Sequence, residues 1–263
     1  MAAFRPERRN RKIGTEAAGY KKSNKMAIPE SWLDRDGSVR RYATRMGLHQ
    51  SIEYQLPGGS LTFLYEPPRS GCAYGCSPED VAHVLAHVPA PDIEGLKIVA
   101  FRQPTRKQGV LNPVWERLFY HADFVSHDGP AIVIEASDLS RPVRWSRKLS
   151  LEHQSELDRL REDGHRIEED RRGYTFHLTE SSVRQTILYR TLLHELGHWV
   201  DWLTKVEQPP NGDMDRYFAR PVSERDAFAH AYADRLTESL RRNGVIPFPP
   251  LEVTGSDVSS DEN

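Results

Sequence analysis

The sequence predicts an α+β fold, with a modest β-sheet packed against helices. Three observations support this fold class. Short segments of strand-forming residues, separated by turn signals, fill much of the chain before residue 180. An apolar stripe at helical spacing follows over 181–205, and a second helical pattern covers 222–241. The chain of 263 residues allows one large domain or two small ones, and we predict a single domain over 29–245.

The strand predictions rest on turn signals and on strand-forming composition. The segment 51–68 contains two short strands around a Pro-Gly-Gly turn, and a further strand is predicted over 95–103. Segments 117–127 and 130–137 are expected to form an antiparallel pair around an Asp-Gly turn. A second hairpin is predicted over 165–179, with its turn at the glycine within that range.

Capping residues indicate where the helices begin. Ser77 is expected to cap a helix whose first turn carries a proline and the acidic pair Glu79 and Asp80, which suit the positive end of the helix dipole. The polar segment 150–163 predicts an exposed helix, and Thr179 is positioned to cap the long helix that follows.

Charge is concentrated at the two ends of the chain. Residues 1–25 carry eight Lys and Arg against two glutamates, and residues 249–263 are acidic and poor in apolar side chains. These compositions predict a disordered basic arm over 1–28 and a disordered acidic tail over 246–263. Because the net charge of the chain is only −2, contact with nucleic acid is expected, if at all, through the arm.

Three features of the sequence predict the cellular location of the protein. No apolar run approaches the length of a membrane span. The basic N-terminus lacks the apolar segment of a secretory signal, and two cysteines are too few for a disulfide framework. We therefore expect no membrane span and a cytoplasmic location, with export by a non-classical route or a secretion system left open.

The most informative motif is His194-Glu195-x-x-His198, in the middle of the long predicted helix. Histidines four residues apart lie about 40° apart around a helix, so both imidazoles can bind one ion. Glu195, about 100° from His194, can act as a general base on a water molecule held by that ion. The pattern predicts a zinc-dependent hydrolase. Gly197 leaves space for a neighbouring strand or a substrate.

The segment "HELGHWVD" resembles the active-site helix of the zincin metallopeptidases, and most closely the branch that contains the anthrax lethal factor catalytic domain. That helix reads His-Glu-x-Gly-His-x-x-Asp, and the matching residues here are His194, Glu195, Gly197, His198 and Asp201. The later segment "SERDAFAHAYA" is similar to the second-helix pattern of that branch, Glu-x-Phe-Ala-Glu-x-Phe-Ala. The resemblance covers about residues 181–240.

The resemblance implies a zincin-like fold, in which a small mixed or antiparallel sheet packs on a long active-site helix and a second helix carries a metal ligand. It implies a protein or peptide substrate that lies extended along the edge strand. It also implies one catalytic Zn²⁺, bound by His194, His198 and an acidic residue, and hydrolysis of peptide bonds with Glu195 as the general base.

The third metal ligand stays open between two acids. Aligned without gaps, the ligand glutamate of the family falls on Asp226, whose side chain is one methylene shorter. Glu224 is the usual residue type and lies on the inward stripe formed with 228, 232 and 236. Positions 224 and 226 are about 200° apart on a helix, so only one can point at the metal. Another group, such as His230, is a third alternative.

Three further residues have roles only by position or resemblance. Asp201 lies one turn after His198, and either accepts a ring N–H from a ligand histidine or is solvated near the helix end. His230 stands where the family has a carboxylate that orients a ligand histidine, or is simply a half-buried helix residue. Tyr217 precedes the second helix, where zincins often place a tyrosine that donates to the oxyanion.

A second group of potential ligands consists of Cys72, Cys76, His83 and His87, whose residue types suit a structural zinc ion. The gap between the two pairs is shorter than in zinc fingers, and no glutamate is placed to act as a base. Two free thiols on an ordinary amphipathic helix are therefore the favoured interpretation.

The alternative function is of another class. The chain would then be a non-catalytic, zinc-stabilised binding module whose basic N-terminal arm contacts nucleic acid or an acidic partner.

Overall fold

The computed structural model describes residues 28, 30–33, 37–111 and 114–251. The predicted basic arm, except Ile28, and residues 252–263 of the predicted acidic tail lie outside these residues. The strands are β1 (Ser31–Leu33), β2 (Val39–Arg41), β3 (Gln50–Leu56), β4 (Gly59–Tyr65), β5 (Cys72–Ala73), β6 (Ile98–Arg102), β7 (Glu116–Asp123), β8 (Asp128–Glu135), β9 (Ser137–Asp138), β10 (Val143–Ser146), β11 (Arg166–Asp170) and β12 (Gly173–His177).

The helices are α1 (Pro78–Leu85), α2 (Ala90–Ile93), α3 (Arg106–Leu111), α4 (Leu151–Glu162), α5 (Glu180–Thr186), α6 (Leu192–Trp202), α7 (Met214–Ala219) and α8 (Val222–Arg242). A π-helical turn, Ile187–Thr191, joins α5 to α6, and a second π-helical turn, Leu203–Glu207, extends α6. The long helix predicted over 181–205 is thus continuous from Glu180 to Glu207. The chain thus combines a mixed sheet with several helices, the longest of which follow the last strand, and this agrees with the α+β class at a coarse level.

The main sheet has five strands in the order β3-β4-β6-β8-β7. Strands β4, β6 and β8 are parallel, whereas the two edge strands β3 and β7 run antiparallel to their neighbours. The sheet is therefore mixed. Strand β7, one of its edges, has a register irregularity between Phe119 and Ala122.

The principal core lies between one face of this sheet and the long helix. Residues buried there include Phe63, Phe101, Ile132 and Ile134 from the sheet and Leu188, Leu192, Leu193, Leu196 and Trp199 from the helix. The opposite face carries a smaller cluster around Leu64, Ile98 and Val133. A three-stranded sheet, β10-β12-β11, packs separately on α4 through Leu157, Leu160 and Phe176. The predicted apolar stripe of the long helix therefore faces the sheet.

Two of the predicted turns are misplaced. Asp128 and Gly129 are the first residues of β8, paired with Asp123 and Ala122, so the reversal lies just before them. It is closed by the N–H of Phe124, which donates to the carbonyl of His127 at 2.8 Å. Gly173 likewise begins β12 and follows its turn. In both hairpins cross-strand pairing, rather than the turn propensity of glycine, determines where the chain reverses.

The other elements agree with the sequence predictions. Strands β3 and β4 flank the Pro-Gly-Gly turn as predicted. Ser77 caps α1 in a reciprocal pair of hydrogen bonds with Asp80, and Thr179 caps α5 through Ser182. The final helix, predicted over 222–241, is α8.

The C-terminal boundary of the packed domain differs from the prediction at 245. Ile246 is buried, and the backbone N–H and carbonyl of Phe248 both bond to the Tyr189 hydroxyl. The N–H of Leu251 donates to the buried carboxylate of Asp80 at 3.0 Å. The domain therefore extends at least to Leu251, because a composition-based boundary does not detect backbone hydrogen bonds to buried side chains.

Within the described residues, no helix is long and apolar enough to cross a bilayer.

Candidate metal centre

The two histidines of the motif face each other on α6. Their Nε2 atoms are 3.2 Å apart, and the ring centroids are separated by 4.7 Å. This proximity follows from the four-residue spacing on a helix, which places both rings on one side. The π-helical turn that ends at Thr191 immediately precedes this helix, and such turns are frequent at functional sites.

A third ligand group comes from α8. Oδ1 of Asp226 lies 3.5 Å from Nε2 of His198. Three potential ligand atoms, one each from His194, His198 and Asp226, lie within 4.8 Å of one another. In the part of the chain that the structure describes, this is the only such group of three or more His, Cys, Asp or Glu residues. The structure therefore brings Asp226, the residue aligned with the family ligand, beside the histidine pair.

Glu224 points elsewhere. Its Oε1 accepts hydrogen bonds from Nε and Nη2 of Arg220 at 3.0 and 2.9 Å, and its side chain is 58% exposed. Residues that are two positions apart on a helix point about 200° away from each other, so Asp226 and Glu224 cannot face the same site. The structure thus places Asp226, and not Glu224, beside the histidine pair.

The close crossing of α6 and α8 depends on Gly197. A Cβ atom at this position would lie 2.8 Å from both Cα and the carbonyl oxygen of Ala229. The sequence leads us to expect a strand or a substrate beside this glycine, but its neighbour is the backbone of α8. Glycine here lets the second helix come near enough for the short side chain of Asp226 to reach the histidines.

Glu195 is held by the edge strand of the sheet. Its Oε2 accepts the backbone N–H of Leu118, in β7, at 2.7 Å. Burial, together with the negative charge of Asp226, raises the pKa of Glu195 to about 7, although the Leu118 N–H and the charge of Arg117 oppose the rise. A carboxyl group with this pKa can both accept and release a proton near neutrality.

The two histidines are neutral at physiological pH. Burial strongly lowers the pKa of His194, and so do the repulsion that protonated His198 and His230 would exert and the charges of Arg159 and Arg190. Burial also lowers the pKa of His198, against the opposing charge of Asp226. Neutral imidazole is the form that binds metal ions.

Asp201 does not take either of its predicted roles. It is 0% exposed, and its carboxylate pairs with Arg220 at 2.7 Å and with Lys205 at 3.0 Å. Both oxygens thus contact cations rather than a ligand histidine. Asp201 joins the end of the long helix to the segment before α8.

The ring of His230 packs against the ring of His194 at a tilt. Its ring centroid is 4.2 Å from that of His194, with the ring planes 37° apart. It therefore covers the His194 ring, and the alternative of His230 as a third ligand is not supported, because the ligand group contains Asp226 instead. The Nδ1 atom of His194 is buried without a hydrogen-bond partner among the described residues.

Tyr217 is buried, at 2% exposed, and its hydroxyl lies 3.2 Å from that of Tyr120 in β7. The Tyr120 ring stacks at 4.3 Å on Trp202, near the end of α6. The structure thus places Tyr217 beside the edge strand, in an aromatic cluster. Its predicted contact with an oxyanion stays a prediction.

Cys72, Cys76, His83 and His87 do not converge in this way. Cys72 pairs with Asp138 between β5 and β9, and burial raises the pKa of the Cys76 thiol. The His83 ring instead contacts His87 at 4.8 Å and Phe248 at 4.5 Å.

Sequence reasoning missed three contributors to this region: the Leu118 N–H, Glu116 and Arg225. The pattern of side chains in a sequence cannot show which backbone N–H will donate a hydrogen bond to the site. Glu116 is 6% exposed, and neither of its carboxylate oxygens has a hydrogen-bond partner among the described residues. It begins β7, two residues before Leu118, and alternation along a strand gave only a weak signal that it faces inward.

No protein-family model matches this chain, and comparison with curated proteins and with solved structures finds no significant match. The residues of the site therefore carry the functional assignment.

Proposed function

We propose that this chain is a zinc-dependent metallopeptidase of zincin-like fold, in which His194, His198 and Asp226 bind Zn²⁺ and Glu195 is the general base. The observation that carries the proposal is the joint position of these four residues. Three potential ligand atoms converge, and the carboxyl group of Glu195 is fixed beside them by the edge strand.

The donor set suits zinc. Bonds of about 2.0–2.1 Å in tetrahedral geometry place ligand atoms about 3.3 Å apart. The Nε2 atoms of the histidines are 3.2 Å apart, and Asp226 Oδ1 is 3.5 Å from His198 Nε2. Two imidazoles and one carboxylate are a typical set for catalytic zinc, which keeps one position open.

His194, His198 and Asp226 would hold the zinc ion, which would supply Lewis-acid polarisation of the scissile carbonyl and a more acidic water molecule. Glu195 takes the proton of the attacking water and passes it to the leaving amine. The Leu118 N–H holds its Oε2 at 2.7 Å, so Oε1 is the atom that accepts the proton. A carboxyl group placed beside both the water and the leaving amine can perform both transfers.

The surroundings support a peptide substrate. Strand β7 is an antiparallel edge of a mixed sheet, and it lies directly against the motif helix through Leu118 and Glu195. An edge strand can bind an extended peptide by adding one strand to the sheet. The combination of this edge, the motif helix and a second ligand helix supports the zincin-like assignment.

The proposal is tested with Glu195→Gln. We expect the variant to bind Zn²⁺ nearly as tightly as the wild type, because Glu195 is not a ligand. Cleavage of a randomised peptide pool should fall by about 100-fold or more, the usual contribution of a general base. Zinc content is measured by mass spectrometry and cleavage by peptide profiling.

The matched control is Glu238→Gln, which changes an exposed glutamate on α8. It should leave both zinc content and cleavage unchanged. Full cleavage by Glu195→Gln would contradict the mechanism, and a zinc-loaded wild type that cleaves no peptide would contradict the function.

A further inference from the structure

Arg225 is a cation without an acidic partner beside the candidate metal centre. It precedes Asp226 on α8, and it is close enough to His198 and Tyr120 for its charge to act on both. It forms no salt bridge with a carboxylate of the described residues, and its Nε is buried without a hydrogen-bond partner among them.

The neighbouring cations differ in this respect. Arg220 and Lys205 pair with Asp201, and Arg117 pairs at 3.0 Å with Glu135, a carboxylate that also pairs with Arg102. On the other side of His194, Arg190 pairs with Glu156 and Asp163. Each of these cations therefore has at least one carboxylate partner within the fold. The charge of Arg225 is left available to a molecule that binds next to the metal centre.

The guanidinium of Arg225 is also held in place. Its Cζ lies 5.6 Å from the ring centroid of Tyr217 and 5.4 Å from that of Phe218, distances typical of cation–π contacts. The two rings contact Tyr120 in turn, at 5.9 and 5.6 Å. Arg225 thus lies over two rings of an aromatic cluster that includes Tyr120 on edge strand β7, and Phe218 in this cluster is 44% exposed.

A guanidinium held against aromatic rings keeps planar N–H groups that match a carboxylate in a two-point hydrogen bond. We propose that Arg225 binds a carboxylate of the peptide substrate beside the bond to be cleaved, so that the protein prefers peptides carrying a negative charge there. The inference rests on the proposed peptidase function and names the substrate class of the same site.

Two sources could supply this carboxylate: an acidic side chain or the C-terminus of the peptide. The test therefore uses peptides taken from the pool that the wild type cleaves, each made in matched forms. One pair differs by Glu against Gln or Asp against Asn, and the other by a free against an amidated C-terminus. Binding is measured by fluorescence anisotropy with the full chain carrying Glu195→Gln, in the presence of zinc, so that no cleavage occurs.

We expect the charged form to bind about 10- to 100-fold more tightly, as for a charge-assisted hydrogen bond. Adding Arg225→Ala should abolish this difference, and Arg225→Lys should restore part of it, because lysine keeps the charge and loses the planar fork. Arg225→Glu should reverse the preference towards basic peptides. The pair that shows the effect identifies the source of the carboxylate.

The matched control is Arg235→Ala, an exposed arginine ten residues further along α8, which should keep the preference. A preference that persists in Arg225→Ala, or equal binding of both forms, would overturn the inference while peptide cleavage by the wild type still supports the peptidase. If zinc-loaded wild type cleaves no peptide of the pool, the peptidase proposal fails and this inference fails with it.

Discussion

Asp226 and Glu224 are two residues apart, yet their carboxylates have different surroundings. Asp226 lies beside His198, whereas Glu224 is exposed and paired with Arg220. Residue type alone favours Glu224, because the corresponding ligand in the zincin branch that the sequence resembles is a glutamate. Direction on the helix and the close approach of α8 outweigh that preference. At the scale of the residue, the direction of the side chain on α8 therefore favours Asp226 as the proposed ligand, although its side chain is the shorter of the two.

This difference predicts the effect of each acid on zinc binding. Asp226→Ala removes one of three ligands, so zinc affinity should fall by about 100-fold or more, beyond the 10- to 100-fold typical of residues that only orient a ligand. Glu224→Ala should leave the affinity within a few fold. Isothermal titration calorimetry with zinc, after removal of metal by a chelator, measures both variants, and the reverse order of effects would contradict the ligand assignment.

At the scale of the element, the site depends on how three pieces of secondary structure meet. Helix α6 carries the histidines, β7 holds Glu195 through Leu118, and α8 brings Asp226. The stripe of apolar residues made the long helix predictable, and the four-residue spacing made the histidine pair predictable. The contact of Leu118 with Glu195 was not predictable, because it joins residues 77 positions apart through a backbone N–H.

The crossing of α6 and α8 gives a prediction for Gly197→Ala. The added Cβ would lie 2.8 Å from the Ala229 backbone, which must then move away. We expect a loss of about 1–3 kcal/mol in the free energy of unfolding, the usual cost of overpacking. Zinc affinity should also fall, because Ala229 and Asp226 share one helix. Denaturant unfolding and zinc titration measure the two effects.

Gly109→Ala is the matched control. Gly109 also lies in a helix, but a Cβ there would meet no atom within 4 Å. This variant should be neutral or more stable by up to about 1 kcal/mol, because alanine favours helix. Equal behaviour of the two variants would show that the helix crossing does not limit stability.

At the scale of the whole molecule, buried charges tie distant segments together or oppose folding. Asp80 binds Arg184 and the N–H of Leu251, and so attaches the C-terminal segment to α1 and the long helix. Glu116 is different, because neither of its buried oxygens has a partner of normal hydrogen-bond geometry among the described residues, although nearby Thr191 and Arg190 act to lower its pKa. Burial and the nearby charge of Glu195 raise the pKa of Glu116 well above its usual value.

A raised pKa makes the stability of the metal-free protein depend on pH. The folded chain keeps Glu116 and Glu195 protonated where the unfolded chain ionises them, so it binds more protons. The free energy of unfolding should therefore fall as pH rises above about 4.5, by up to about 1.4 kcal/mol per pH unit for each group. For Glu195 this fall ends near its folded pKa of about 7.

Glu116→Gln should remove the part of this pH dependence of the free energy of unfolding that Glu116 causes. We expect the stability of the variant relative to the wild type to increase between about pH 5 and pH 8, as measured by denaturant unfolding in the presence of a chelator. Glu238→Gln, at an exposed position, serves as the control and should follow the wild type. A constant difference across this range would contradict the assignment of a protonated, buried Glu116.

The sequence by itself determined the features that repeat along the chain. Helical period, capping residues and the His-Glu-x-x-His spacing depend on neighbours within a few positions, and they predicted the long helix, α8 and the histidine pair. Only the tertiary structure decided the position of Asp226, the partners of Asp201 and the hydrogen bond from β7 to Glu195. Each of these depends on how closely separate elements pack, and the narrow crossing at Gly197 and Ala229 is the physical reason that α8 reaches the histidines.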